Sequence, residues 1–421
     1  MNQNLIYIVI ICFFSLYVSA QNAVLYLGGI AHLGNGEKIE NSAIVVKDGM
    51  FGLVADTDTS IIEPSFFDTI IRIHGKHVYP AFISPNTTLG MTEIDAVRAT
   101  KDFDEVGRFN PNVRSLIAYN TDSKILKTVR TNGVLITQAT PRGGIISGSS
   151  SIMFLDGWNW EDAQLRADDG IHLNWPSTYN TSGWWAQPGS TSKNKNYKKA
   201  VEEIKEYFEI SKSYYKNNKE IDIELEAMKG LFNGTKNLYI NAGYPNEIRE
   251  SIRYFKGIGI DNVVIVGGKG ALDALQTLKE FKVPIILKRV HSLPSNEDAP
   301  IDEYFTLPSQ LQKEGILFCF AYNGDMEAMG TRNLPFTAGT AVAYGLEYEH
   351  AISALSLNAS IIFGIDKKSG SIETGKEATF FISSGDALDM MGNNVEQAFI
   401  KGKKVNLNNH QKELFEKYKR R

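Results

Sequence analysis

Cysteine is nearly missing. Of the two in the 421-residue chain, Cys12 lies in an apolar leader and Cys319 stands alone beyond it. Without the leader no intramolecular disulfide can form, so the fold must rest on its hydrophobic core. Cys319 sits in the apolar run Ile316-Leu-Phe-Cys-Phe-Ala321 and reads as a buried, inert thiol. Charge of one sign is missing too. The 44 Lys and Arg against 48 Asp and Glu leave a formal net charge of −4. No basic footprint is left, so nucleic acid is not an expected partner. Beyond the first twenty residues no apolar run is long enough to span a bilayer. Paired histidines are the last absence. The seven are His32, His74, His77, His172, His291, His350 and His410, with no His-x-His and no His-Glu-x-x-His. The simplest sequence signs of a zinc enzyme are therefore not there.

What is present begins with the leader. Leu5 to Val18 is an uncharged apolar core, and Val18-Ser-Ala20 is a small-residue cleavage site. Residues 1–20 read as a secretory signal peptide, which places the mature protein in the periplasm or outside the cell. The segment before the core has no Lys or Arg, so an uncleaved anchor is the alternative.

The mature chain is β at both ends. Ala23 to Ala31 and Ser42 to Val54 read as strands, with Asp48-Gly49 as a tight hairpin turn. Gly133 to Ala139 and Ile152 to Leu155 read as buried strands. The Gly/Ser run 143–151 lacks a P-loop lysine and a following helix, so phosphate binding is disfavoured. All five tryptophans fall between Trp158 and Trp185, read as a loop packed by its aromatics or, more sharply, as a substrate-facing wall. Val201, Ile204 and Phe208, then Leu225, Met228 and Leu231, have the spacing of amphipathic helices. From Lys236 strands alternate with helices, and the strands are apolar throughout. That pattern predicts a parallel sheet covered on both faces, approaching the eight strands of a barrel. Gly370 to Ile382 and Val395 to Val405 return to β. The expected architecture is α/β. A (β/α)8 TIM-type barrel over 79–365 lies beside a small β-sandwich domain built from 21–78 and 366–421.

Two stretches carry a family likeness. Val78-Tyr-Pro-Ala-Phe-Ile-Ser-Pro-Asn-Thr-Thr-Leu-Gly90 resembles the first barrel strand of the amidohydrolase superfamily, Pro-Gly-Phe-Ile-Asp-x-His-x-His. Ala354 to Asp366, followed by Gly370-Ser-Ile-Glu-Thr-Gly-Lys-Glu-Ala-Thr379, resembles that superfamily's C-terminal pattern. Imidazolonepropionase-like members are the nearest in kind. The resemblance implies hydrolysis of non-peptide C–N bonds in a small substrate by water activated on zinc or another divalent metal.

Carried across residue by residue, the metal pattern breaks. Asn86 and Thr88 stand where the family has its first two histidines. Asn241 and Gly267 stand at the fifth- and sixth-strand histidine positions. Asp325 is the acid nearest the last-strand position, which Tyr322 or Asn323 would otherwise fill. Amide and hydroxyl oxygens suit zinc poorly, so no metal cofactor is expected. His172, His291 and Asp325 are the residues that would make a replacement site. Serines 147, 149, 150 and 151 are candidate nucleophiles, with no Gly-x-Ser-x-Gly around them. Two readings follow: a C–N hydrolase, or a catalytically inactive barrel that binds a small molecule or a partner chain. In both, Asn86, Thr88, Asn241, Gly267, His172 and His291 line the pocket and Asp325 is the candidate catalytic acid.

Overall fold

The computed structural model describes residues 23–184, 187–217, 220–294, 298–324 and 326–419. The leader, Trp185 and Asp325 lie outside the described residues.

Strand β1 (Val24–His32) pairs antiparallel with β2 (Lys38–Lys47), and β2 with β3 (Met50–Asp56). Asp48 and Gly49 join the last two with φ of 53° and 79°, the doubly positive pair that a type I′ turn requires. β4 (Thr69–Arg72) and β5 (His77–Pro80) lie parallel to successive stretches of β1.

At β6 (Phe82–Thr87) the chain enters a second sheet. Next come β7 (Val134–Ala139), β8 (Ile146–Phe154) and β9 (Gln164–Asn174). A hairpin of β10 (Tyr179–Trp184) and β11 (Gln187–Lys193) stands outside both large sheets. Helix Tyr197–Asn217 buries Val201, Ile204 and Phe208, and helix Ile223–Phe232 buries Met228 and Leu231, as their spacing predicts. β12 (Asn237–Ala242), β13 (Val263–Gly267), β14 (Ile285–Leu287) and β15 (Phe318–Phe320) then alternate with helices Pro245–Gly257, Leu275–Glu280 and Glu303–Lys313. The eight strands run in the order β6-β7-β8-β9-β12-β13-β14-β15, and β15 returns beside β6 to leave the sheet nearly closed. Cys319 lies in β15 with no exposure, and burial pushes its thiol far above the usual range.

The sheet is not wholly parallel, and this corrects the expectation of eight βα units. β8 is antiparallel to both β7 and β9, while the remaining neighbours are parallel. The reason is local. A crossover needs about a dozen residues, and the link from Thr140 to Ile145 is much shorter. Gly143 and Gly144, at φ of 83° and 59°, turn the chain back on itself. The Gly/Ser run is therefore a hairpin turn and a buried strand.

β16 (Phe380–Ser383) pairs with β5 and with β17 (Val395–Ile400), which pairs with β18 (Lys403–Lys404). These strands and β1 to β5 form one eight-stranded sheet, in place of the two facing sheets of a sandwich. It wraps its own core. Phe51 N–H donates to Lys376 O and Ala378 N–H to Gly49 O, across from the packed rings of Tyr26, Phe51, Phe380 and Phe399. Among the described residues no helix is long and apolar enough to cross a membrane.

Candidate functional site

The C-terminal ends of the parallel strands open at one end of the second sheet, where barrel-like folds carry their chemistry. Asn86 lies there, on β6. The pairing of β6 with β7 slips between Ser84 and Thr87, and Asn86 takes up the slip with a left-handed φ of 49°. Its N–H donates to Gln138 Oε1 at 3.0 Å, and its Nδ2 donates to Asn323 Oδ1 at 3.2 Å. Arg142, on the β7–β8 turn, donates from Nη1 to Asn86 Oδ1 at 2.9 Å and from Nη2 to Asn86 O at 2.7 Å. The same Nη2 meets Glu327 Oε1 at 2.8 Å, and Asn323 Nδ2 donates to Glu327 Oε2 at 3.2 Å. Strands from opposite edges of the sheet are thus tied by one polar network, with Arg142 and Glu327 mostly buried.

More positive charge surrounds it. Lys288 is the first residue beyond β14, and its ammonium is pushed down to about 8. Burial is the main cause. Arg142 and Lys269 add to it, and Glu327 opposes. Arg289 donates from Nε to Asn323 O at 2.8 Å and lies over the Tyr322 ring at 4.7 Å. Lys269 lies over the Tyr304 ring at 4.4 Å.

The residues singled out in the sequence do not gather as one site. Asn86 is central. Thr88 is buried next to it but shares no hydrogen bond with the network among the described residues. Asn241 is the last residue but one of β12, opposite Asn174, and its main-chain O accepts from Trp175 N–H. Gly267 has a φ of 129°, and a Cβ there would stand 2.6 Å from Ala242 O. His291 bonds Thr340 Oγ1 at 2.7 Å, away from the network. Asn323, one of the two residues the sequence offered for the last-strand position, bonds Asn86, while Asp325 lies outside the described residues.

His172 is a correction. It belongs to β9 and has no exposure, so it cannot serve as a pocket residue from a loop. Its Nε2 meets Ser150 Oγ at 2.9 Å and its ring stacks on Tyr239. Ser150 Oγ also donates to Asp169 Oδ1 at 2.7 Å, and Tyr239 OH donates to Asp169 Oδ2 at 2.5 Å. Serine, histidine and aspartate meet here, but not as a triad, because the aspartate touches the serine and not the imidazole. All three are sealed from solvent. Among the described residues no group of three His, Cys, Asp or Glu side chains could hold a metal, and Asp325, the third member of the replacement site that the sequence offered, lies outside them.

The tryptophans whose side chains are described do not line up as one wall. Trp158 is exposed and lies beyond the far end of the inverted strand β8, whereas Trp175 is buried and donates to Tyr197 OH. The stretch between them is β9, a core strand.

Comparison with known proteins adds the family. The amidohydrolase family profile matches residues 194–405. The chain belongs to the amidohydrolase family. An amidohydrolase from Thermotoga maritima MSB8 is similar at 20% identity and TM-score 0.76, covering 91% of this chain and 99% of that one. A Xaa-Pro dipeptidase with methionine bound in its active site is similar at 13% identity and TM-score 0.55, covering 91% and 100%. Phenylurea hydrolase B is similar at 12% identity and TM-score 0.56, covering 91% and 97%. At these identities the likeness is one of fold. No curated protein sequence matches.

For an amidohydrolase the mouth is unusual in its donors. The Asn86 oxygens already accept from Arg142, so a metal ion there would face a guanidinium at hydrogen-bond distance. Gly267 has no donor and no room for one. The residues present do not fit the family's metal. Arg142, Glu327 and Lys288, absent from the sequence-based site, are what the mouth offers instead. Arg142 and Lys288 closely follow apolar strands, and a reading guided by imidazole passes over that signal.

Proposed function

We propose that this amidohydrolase takes a small carboxylate-bearing amide or lactam into the mouth of its barrel and holds it on fixed protein cations. One observation carries the reading. Arg142, Lys269, Lys288 and Arg289 converge on a network whose carboxylate, Glu327, is already engaged by Arg142 and Asn323. Among the described residues these four cations outnumber the acids that the structure sets against them, Glu327 and, at Lys269, Glu303, and lysine and arginine bind carboxylates by charge-assisted hydrogen bonds. The nearly closed sheet is read as a variant of the (β/α)8 barrel with one inverted strand. The sheet built from the two chain ends is read as its companion domain. Export to the periplasm or beyond is read from the leader sequence.

Thermal shift with N-acyl amino acids and cyclic amides tests the binding. Carboxylate-bearing members should raise Tm, and the matching uncharged amides should not. Equal effects of both, or of neither, would sink the reading. C–N bond hydrolysis is the second reading, favoured by the family match and by the likeness to proteins named as hydrolases. Release of amine from the same compounds tests it, with and without added zinc.

A further inference from the structure

The balance of charge hides a polarity along the chain. Residues 401–421 hold eight Lys and Arg against two Glu, although the whole chain has a net charge of −4. The stretch runs into a helix, His410–Tyr418. Asn409 is buried and starts that helix, its side chain accepting from Lys412 N–H at 2.9 Å. Gln411, in the first turn, ties it to the body, with Oε1 accepting from Thr128 Oγ1 at 3.0 Å. No residue of the helix is buried.

An ordinary surface helix turns its apolar stripe to the core and its charges to water. Here the stripe is in water. Leu414, Phe415 and Tyr418 are 37%, 62% and 53% exposed. Successive side chains of a helix stand about 100° apart, which puts these three on one stripe in line with Gln411. Lys417 flanks the stripe on one side, and Lys412 and Lys419 flank it on the other. Glu413 and Glu416 fall on the back. The flanking amines lean over the rings. Lys419 Nζ is 5.4 Å from the Phe415 ring centre, and Lys417 Nζ is 5.2 Å from that of Tyr418. Glu416 meets Lys419 only at 3.8 Å, an exposed pair that neutralises little. An exposed apolar stripe with cations on both flanks and acids behind is how a helix lies in a lipid interface. The stripe enters the head groups and the lysine stems run alongside it to the phosphates.

We propose that helix His410–Tyr418 is a peripheral contact with an anionic lipid surface. Leu414, Phe415 and Tyr418 enter the head-group layer, and Lys412, Lys417 and Lys419 bind lipid phosphates. Flexible lysines on both flanks suit a fluid field of phosphates better than one fixed partner carboxylate. The acid-rich remainder of the chain is repelled by the same surface, so the protein approaches with this end foremost. Nine residues are far too few to span a bilayer, so the helix lies on it.

The test is co-sedimentation with vesicles, using the chain from Gln21, which holds every described residue and omits the apolar leader. The vesicles are phosphatidylcholine alone, or phosphatidylcholine with about one phosphatidylglycerol in three lipids. Binding should be roughly ten-fold stronger to the anionic vesicles and should fall several-fold between ~0.1 and ~0.5 M salt. Lys412→Glu, Lys417→Glu and Lys419→Glu together should abolish the preference. Phe415→Ser with Tyr418→Ser should weaken binding at both salt concentrations, which a contact through charge alone would not show. All five side chains are exposed, so an unchanged Tm is expected and reports folding. Equal binding to both kinds of vesicle, or to neither, overturns the proposal. Retention on immobilised heparin without vesicle binding would make the basic end a site for an anionic polymer and overturn the lipid reading. A concentration-dependent mass that Phe415→Ser with Tyr418→Ser abolishes, again without vesicle binding, would make the stripe an interface between copies and overturn it equally.

Discussion

Arg142 grips Asn86 twice, through its side-chain oxygen at 2.9 Å and its main-chain oxygen at 2.7 Å. A guanidinium therefore lies against the residue that the sequence likeness sets at a metal-binding histidine of the family. Its second partner is Glu327, so the contact joins the strand that begins the sheet to the segment that follows its last strand.

Arg142→Met should cost about 2–4 kcal/mol, because it leaves a mostly buried carboxylate and two amide oxygens without their donor. Urea unfolding measures this. Adding Glu327→Gln should recover part of the loss, as coupled partners do. Strict additivity of the two changes would show that the pair is not coupled.

Restoring histidines at Asn86, Thr88, Asn241 and Gly267 should not create a tight zinc site. Gly267 is the obstacle, since even a Cβ there would meet the Ala242 carbonyl at 2.6 Å. Gly267→Ala alone should lower stability by about 1–3 kcal/mol, from backbone strain and that contact. A Gly267→Ala protein with wild-type stability, or a four-histidine variant with tight zinc, would contradict the geometry.

Asp169 gives a pH dependence of defined sign. Burial raises its carboxyl above the usual range, against the lowering effect of Tyr239, Ser150, Arg166 and Gln138. Between the unfolded value near 3.9 and the higher folded value, the folded protein holds the extra proton. Stability from this group therefore falls as pH rises through that window. Asp169→Asn should remove the fall, seen as a flatter plot of urea midpoint against pH above about 4. Parallel plots for the two proteins would refute it.

His172 acts in the opposite direction. Burial first, and Arg142 second, hold its imidazolium well below the usual value. The unfolded chain takes up a proton near pH 6.5 that the folded one refuses. This group's contribution is thus full above about pH 6.5 and is lost as pH falls below it. His172→Gln should lack that acid loss, whatever its stability at neutral pH. The comparison is again one of urea midpoints across pH.

Periodicity made the terminal β structure and the βα run after Lys236 legible, and a dipeptide, Asp48-Gly49, marked a turn that the structure contains. The inverted strand was hidden because a buried antiparallel strand and a buried parallel one are equally apolar. Only the short link from Thr140 to Ile145 distinguished them. In the site, Asn86 was legible because a family pattern pointed at it. Arg142 and Lys288 were not, since a lone cation after a strand is common and only the fold reveals which cations face one another. His172 was misplaced for a similar reason. Tryptophans on either side suggested a loop, but Ile171 and Leu173 flank it within a buried strand.

The inversion of β8 also bears on how the protein folds. β7, β8 and β9 form a meander from residues adjacent in sequence, whereas joining β6 to β15 links residues about as far apart as Asn86 and Asn323. Loop closure makes the second step the slower one. The meander should therefore gain amide protection first in pulsed hydrogen exchange, and protection of β6 and β15 ahead of it would reverse the order. Arg142 rides on the early unit, and Lys288, Asn323 and Glu327 come from the late one. The charged mouth is then assembled only when the ring of strands closes, and a ligand that bridges its two halves would hold the molecule shut.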